Sequence, residues 1–186
     1  MSILSLALFV LIANTYESNF VKSIDIQVIT SIQCFDQAII IAVMKFFSYI
    51  GDTIRVIFIS IMMLVILYTV FHHRKELMLF IIVLIGSTAL NVLLKNYFHR
   101  VRPNFVRMII EDGYSFPSGH TMAALSLYGI ISFLIWRHIP KQSGRIMLIC
   151  ISASFILGIG ISRIYLGAHF PSDVVGAYLI SGSWLS

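Results

Sequence analysis

The chain has 186 residues, of which 59% are hydrophobic and only 11% are charged, and it carries a formal net charge of +5. Its mean hydropathy of +0.94 is far above that of a soluble domain and indicates an integral membrane protein. The basic residues lie in loops between apolar segments rather than on one soluble face, which argues against nucleic-acid binding.

The first two apolar segments are shorter than the roughly 20 residues that a helix needs to cross a bilayer. Residues 3–13 are as long as a signal-peptide core, but no Lys or Arg precedes them, so we predict a membrane span extended by polar ends. Residues 37–50 are apolar with Lys45 near the middle, which favours an interfacial or re-entrant helix.

Four later windows are long enough to cross a bilayer, which takes about 20 apolar residues. They are residues 53–71, 76–95, 119–139 and 146–165. Their charged side chains lie at or near the ends, as expected because a charge at the bilayer centre is costly. Residues 174–185 form a last, short span. We therefore predict an all-α polytopic membrane bundle of six transmembrane helices, with an interfacial helix between the first and second, in a single domain over residues 1–186.

Successive spans alternate in direction, so the polar groups between the third and fourth spans and between the fifth and sixth share one side of the membrane. They are Lys95, Arg100, Arg102, Arg107, His120, Arg163, His169 and Asp173. That side has eight Lys and Arg and the other has five, a count that favours a cytoplasmic cluster. Several of the eight are candidate site residues, however, and the short basic loops next to spans lie opposite. We therefore expect the cluster on the extracytoplasmic face.

The first polar motif is KNYFHRVRP, residues 95–103. Lys95 and Arg102 are seven residues apart, which places them on the same face of a helix two turns apart. Pro103 disfavours helix at Arg102 and is expected to end the span. Two cations on one face repel unless an anion lies between them; alternatively, they snorkel and anchor the span.

The second motif is FPSGHTMAA, residues 116–124. Ser118 is expected to cap a helix that begins at Gly119, and the free N–H groups of such a helix bind phosphate well. Gly119 leaves room for an anion near the backbone, and His120 in the first turn can donate a proton to a group bound there. The alternative is an ordinary capped span with an interfacial histidine.

The third motif is SRIYLGAHFPSD, residues 162–173. We expect Gly167 to allow a tight turn and Ser172 to cap the last span. Asp173 follows His169 by four residues, so its carboxylate can hold one ring nitrogen and leave the other free as a nucleophile. Arg163 adds a third cation. The alternative is an interfacial Arg–Asp pair beside an uninvolved histidine.

Together these groups are suited to phosphoryl transfer, because cations and helix N–H groups stabilise phosphate oxygens while the histidines attack phosphorus and move protons. The chain also resembles a known family. The pattern Lys95-x6-Arg102-Pro103, Pro117-Ser118-Gly119-His120, Ser162-Arg163-x5-His169-x3-Asp173 is similar in order and spacing to the three-part signature of the type-2 phosphatidic acid phosphatase superfamily.

The resemblance implies a metal-independent membrane phosphatase with a helical core and no cofactor. It implies that His169 is the nucleophile, oriented by Asp173, and that His120 protonates the leaving group and then activates water. It also implies the phosphate ligands, which are Lys95, Arg102, Ser118, Gly119 and Arg163.

Within that family, bacterial six-span members act on phosphatidylglycerophosphate, phosphatidic acid or undecaprenyl diphosphate. We therefore expect a lipid phosphate substrate, a bacterial plasma-membrane location and no obligatory protein partner. Glu111 and Asp112 are interpreted as solvated loop acids, or as groups that steer cationic headgroups. The rivals are a haloperoxidase, a transporter and a lipid-binding protein without turnover; the intact His169–Asp173 pair argues against mere binding.

Overall fold

The computed structural model describes residues 2–71, 74–104, 108–109 and 111–186, so that Arg107 lies outside the described residues. Over these ranges the secondary structure is entirely helical. The α-helices are α1 (Ser2–Thr15), α2 (Asn19–Gln33), α3 (Ala38–Ile50), α4 (Thr53–Ile66), α5 (Arg74–Phe98), α6 (Gly119–Trp136), α7 (Gln142–Tyr165) and α8 (Pro171–Leu185). A π-helical segment, Leu67–Phe71, continues α4. The prediction of an all-α membrane bundle is confirmed.

The predicted count of six spans is not confirmed. Helices α5, α6 and α7 are long and apolar enough to cross a membrane. The pair α1 and α2 is bent by 99° and the pair α3 and α4 by 55°, and counting each bent pair as one span raises the total over the described residues to five. Helix α8, with 15 residues, is shorter than a full crossing requires.

Helix α2 was not anticipated from the sequence. It begins after Ser18, whose hydroxyl accepts a hydrogen bond from the backbone N–H of Val21 at 3.3 Å. Polar residues interrupt its apolar runs, so the hydropathy of the sequence does not identify it as a membrane span. It is amphipathic instead: Asp25 and Ile29 are buried, whereas Phe20 on the outer side is 73% exposed.

Helix α6 occupies the centre of the bundle and packs against α4, α5, α7 and α8. Its buried side chains Leu127, Ile130 and Leu134 form a core with residues of α4 and α5, among them Met63 and Phe80. The surrounding helices expose many large apolar side chains, as a lipid-facing surface requires.

Two local predictions were wrong. Helix α5 ends at Phe98, before Pro103, and His99 follows in the left-handed region at φ 49°. Arg102 therefore lies in the following loop and does not share a helix face with Lys95. Ser172 is also not a cap, because α8 begins at Pro171 with Phe170 at its N-cap. The expected turn at Gly167 is present, with φ 73°.

One aromatic side chain fixes the loop before α6. Phe116 is fully buried and stacks on the rings of Phe9 and Tyr16, at centroid distances of 5.7 and 5.2 Å. Its edge meets the ring of Phe98 at 5.0 Å. The segment that enters α6 is thereby held against the ends of α1 and α5.

We predict that Phe116→Ala lowers the free energy of unfolding by about 3–5 kcal/mol, the usual cost of deleting a buried aromatic side chain. The measurement is equilibrium unfolding in detergent. Phe58→Ala is the matched control, because Phe58 is 68% exposed and its removal should change stability little. Equal losses for the two variants would contradict the assigned role of Phe116.

Candidate active site

The three motifs meet at one end of the bundle. A cavity of about 350 Å³ opens there between α4, α5 and α6 and the loop before α6. The polar residues that line it include Lys95, Arg102, Glu111, Gly119 and His120. Of the residues predicted to share one side of the membrane, Lys95, Arg102 and His120 line this cavity.

Arg102 and Arg163 are buried on either side of Glu111 although they come from distant segments. Nη1 of Arg102 donates to the carbonyl oxygen of Ala168 at 3.1 Å and to Glu111 Oε2 at 2.9 Å. Arg163, near the end of α7, donates through Nη1 to the hydroxyl of Ser48 at 2.5 Å and through Nη2 to Glu111. The two guanidinium groups therefore face one carboxylate from two sides.

His169 lies directly behind these cations, with 1% of its side chain exposed. Its Nδ1 is 3.4 Å from Asp173 Oδ2, and its Nε2 is 3.2 Å from Nη1 of Arg102. The Asp173 carboxylate can only accept, so Nδ1 carries the proton toward it, and the lone pair of Nε2 then lies on the side of Arg102. The i, i+4 spacing thus brings the predicted pair together.

The electrostatic environment keeps His169 neutral. Burial lowers its pKa to about 4, because desolvation outweighs the opposing attraction of Asp173, and Arg102 and Arg163 add to the lowering. A neutral imidazole has a lone pair, which a nucleophile needs. Near neutral pH, His169 is therefore uncharged, and one of its ring nitrogens has a lone pair available for nucleophilic chemistry.

The α6 N-terminus differs in detail from the prediction. Ser118 is at the N-cap position, but its hydroxyl makes no capping hydrogen bond and instead accepts from the hydroxyl of Thr121 at 2.9 Å. The Ser118 N–H donates to the Asp173 carbonyl oxygen at 3.2 Å. A Cβ on Gly119 would lie 3.1 Å from Asn91 Oδ1, so glycine is favoured by the close approach of α5.

His120 lies between two cavities. It lines the first cavity and also a second of about 380 Å³, which α3, the start of α4 and Arg163 border. Its Nε2 is 3.8 Å from Glu111 Oε1. A group that took the place of the Glu111 carboxylate between the cations would therefore lie close to His120.

Glu111 is not a solvated loop acid, and that expectation was wrong. Its carboxylate bridges Arg102 and Arg163 inside the cavity and faces His120. Burial by itself raises its pKa, but the charges of Arg163, His120, His169 and Arg102 prevail and hold the pKa at about 2. Glu111 is thus an anion at all ordinary pH values, placed where the cations would bind a phosphate.

The sequence also gave no indication of the partners of Asp173. The Ser115 hydroxyl donates to Asp173 Oδ2, and Arg100 donates to Asp173 Oδ1 at 2.5 Å. Asp25 of α2 binds the other end of the same guanidinium at 2.9 Å. These residues are far apart in the sequence and no short motif contains them together. Their charged or hydroxyl side chains are the only sequence signal that could have identified them as candidates.

A third, apolar cavity of about 640 Å³ continues from the site toward the middle of the bundle. It lies between α4, α5 and α6, and it shares with the first cavity the lining residues Val56, Ile57, Ser87, Thr88 and Ala123. Within the described ranges, no group of three His, Cys, Asp or Glu side chains is placed to hold a metal ion.

Comparison with known proteins gives a consistent result. The model of the PAP2 superfamily matches residues 76–186. The chain is 34% identical to phosphatidylglycerophosphatase B of Bacillus subtilis over 173 residues, which are 91% of this chain and 84% of that one. It is 32% identical to an undecaprenyl-diphosphatase of Sulfolobus acidocaldarius over 95 residues, 48% of this chain and 38% of that one.

A solved structure extends the similarity to the whole fold. The transmembrane PAP2-type phosphatidylglycerolphosphate phosphatase from Bacillus subtilis superimposes with a TM-score of 0.89 at 28% sequence identity. The superposition covers 99% of this chain and 92% of that one, so the helical arrangement is shared almost completely.

We predict that Glu111→Gln strengthens binding of inorganic phosphate by about tenfold, or roughly 1.4 kcal/mol, because an anion competing for the same arginines is removed. The measurement is isothermal titration of the purified protein with phosphate. The control is Asp112→Asn, which neutralises the neighbouring, exposed acid and should leave affinity unchanged. Unchanged or weaker binding by Glu111→Gln would show that Glu111 does not occupy the anion position.

Proposed function

The chain belongs to the PAP2 superfamily and is a membrane lipid phosphatase by its homologues, and we propose that it cleaves a phosphomonoester or diphosphate of a membrane lipid through a phosphohistidine. The observation that supports this most directly is the buried His169, held at Nδ1 by Asp173 with its Nε2 directed at the phosphate-binding cations.

In the first step, Nε2 of His169 attacks phosphorus while the bond from phosphorus to the lipid oxygen breaks. His120 donates a proton to that oxygen, and the lipid alcohol or lipid monophosphate leaves. Nδ1 keeps its proton, and the positive charge that develops on the ring is stabilised by Asp173 at 3.4 Å.

In the second step, His120 acts as a base. It takes a proton from a water molecule, whose oxygen attacks the phosphohistidine. The bond from nitrogen to phosphorus then breaks, its electron pair returns to Nε2, and inorganic phosphate is released. The position of His120 between both cavities supports this role, because it can reach the leaving oxygen and solvent from one place.

Positive charge for the transition state comes from Lys95, Arg102 and Arg163, together with the N-terminus of α6 at Ser118 and Gly119. These cations supply the charge that a divalent metal supplies in other phosphatases, so we propose that no metal is required. The substrate phosphate takes the place of the Glu111 carboxylate between Arg102 and Arg163.

The apolar cavity supports a lipid substrate. It joins the polar cavity along Val56, Ile57 and Ala123, so a phosphate can lie among the cations while an acyl or prenyl chain stays among apolar side chains. The named relatives support phosphatidylglycerophosphate and undecaprenyl diphosphate as candidates. Phosphatidic acid is the third candidate, and we propose an extracytoplasmic site in a bacterial plasma membrane.

The proposal is tested by measuring phosphate release from each of these lipids by the purified protein in detergent with EDTA. We expect turnover that survives EDTA and is lost in His169→Ala, because the nucleophile has been removed. The ratio of rates among the three lipids identifies the preferred substrate. A folded wild-type protein that binds the lipids but releases no phosphate would instead indicate a lipid-binding protein.

The apolar cavity gives a second prediction. Ile61→Trp should raise KM for a long-chain lipid phosphate by about tenfold, roughly 1.4 kcal/mol of lost binding, because the indole fills the path of the chain. Hydrolysis of a water-soluble phosphate ester should not change, because Ile61 does not line the polar cavity. Val65→Trp is the matched control, since Val65 lies on the same helix with the same 55% exposure as Ile61 and does not line the apolar cavity. Equal effects on both substrates would exclude the cavity as the chain-binding site.

A further inference from the structure

Arg100 is a buried cation with no place in the proposed chemistry. It follows the end of α5 by two residues, and its side chain is 6% exposed. Unlike Arg102 and Arg163, it does not line either of the polar cavities. A buried charged side chain needs partners of opposite charge and hydrogen-bond acceptors, so the partners of Arg100 indicate its role.

Those partners are two carboxylates and the hydroxyl between them. Nη1 of Arg100 donates to Asp173 Oδ1 at 2.5 Å and to Ser172 Oγ at 2.7 Å, and Nη2 donates to Asp25 Oδ2 at 2.9 Å. Ser172 returns two hydrogen bonds to Asp25, from its N–H at 2.9 Å and from its hydroxyl at 2.6 Å. All four residues are buried.

The two oxygens of Asp173 have separate tasks. Oδ2 faces His169 and accepts from the Ser115 hydroxyl and from the Phe170 N–H at 2.8 Å, whereas Oδ1 is bound by Arg100. Oδ2 is thus held by donors next to His169, and Arg100 holds the opposite oxygen. Arg100 therefore completes the fixation of the carboxylate plane and balances part of the charge that Asp173 directs at His169.

The guanidinium group of Arg100 is itself held in place. Its central carbon lies 4.7 Å from the centre of the Tyr16 ring and 4.3 Å from that of the Phe170 ring. These rings restrict movement across the guanidinium plane, and Asp25 fixes rotation within the plane by binding Nη2. Asp25 lies on α2, which contains none of the three motifs. Because Arg100 binds both Asp25 and Asp173, α2 is connected to the catalytic carboxylate through the Arg100 side chain.

We propose that Asp25 and Arg100 are a positioning pair that holds the Asp173 carboxylate against His169, an inference that rests on the proposed phosphohistidine mechanism. The pair touches neither phosphate nor lipid. One guanidinium serves two carboxylates, so a net negative charge remains directed at the His169 ring. That charge stabilises the imidazolium character that develops when Nε2 bonds to phosphorus.

The test is a double-mutant cycle on kcat with Asp25→Asn and Asp173→Asn, using radiolabelled substrate. Asp25→Asn should lower kcat by about 10- to 100-fold, as substitutions behind metal-bound histidines do. KM and inhibition by inorganic phosphate should not change, because the phosphate ligands are intact. In the Asp173→Asn background, Asp25→Asn should cause no further loss, since its effect passes through Asp173.

Additive losses in the cycle, a loss confined to KM, or an unchanged kcat would each overturn the inference. The matched control is Glu76→Gln, which removes a carboxylate bound by Arg137 at the opposite end of α5 and should leave kcat unchanged. Arg100→Lys should give an intermediate kcat, because one ammonium cannot bind both carboxylates in the same geometry.

Should Asp25→Asn fail to fold, Ser172→Ala takes its place in the cycle, because it removes the hydroxyl between Asp25 and Arg100 without removing a charge. It should then show the same absence of additivity with Asp173→Asn, and additivity would overturn the inference. Failure of the wild-type protein to release phosphate would contradict the proposed function itself. An active wild type with additive losses would contradict only the positioning pair.

Discussion

In the part of the chain that the structure describes, three arginine side chains are buried at one end of the helical bundle, and the arrangement of the site follows from the carboxylates that compensate them. Arg100 is paired with Asp25 and Asp173, while Arg102 and Arg163 share Glu111. Withdrawing an ion from water costs several kcal/mol unless a partner of opposite charge comes with it. The loop before α6, helix α2 and the start of α8 are therefore bound to one another by charge as well as by packing.

The two sets of ion pairs differ in whether an anion from solvent can reach the arginines and replace their carboxylate partners. Glu111 lies in an open cavity, and its carboxylate has the charge and hydrogen-bonding capacity that a phosphate oxygen offers to the same arginines. Its pKa of about 2 keeps it ionised, so Arg102 and Arg163 stay compensated when no substrate is bound. The Arg100 pairs are enclosed among aromatic rings and other helices, where no anion from solvent can take the place of Asp173. Arginine thus binds a carboxylate that borders a cavity in one place and a fully enclosed carboxylate in the other.

The bends between helices make both arrangements possible. The 99° bend between α1 and α2 lays α2 across the end of the bundle and brings Asp25 to the start of α8. The second bend, between α3 and α4, places Ser48 against Arg163 while α4 turns down beside the apolar cavity. A polar site at the end of the bundle is thereby continuous with an open apolar groove between α4, α5 and α6. This geometry suits a molecule with an ionic head and a hydrocarbon chain.

The sequence by itself determined the features that depend on local spacing. Hydropathy located the long helices, the break at Ser118 located the start of α6, and the i, i+4 interval brought Asp173 to within 3.4 Å of the His169 ring. Only the tertiary structure decided that Arg102 reaches Ala168, that Glu111 is inside the cavity and that Asp25 reaches Ser172. The last two residues are 147 positions apart, and no local pattern encodes a contact of that range. Such contacts form because buried charges and hydroxyls must find partners after the helices have packed, and packing decides which partners are within reach.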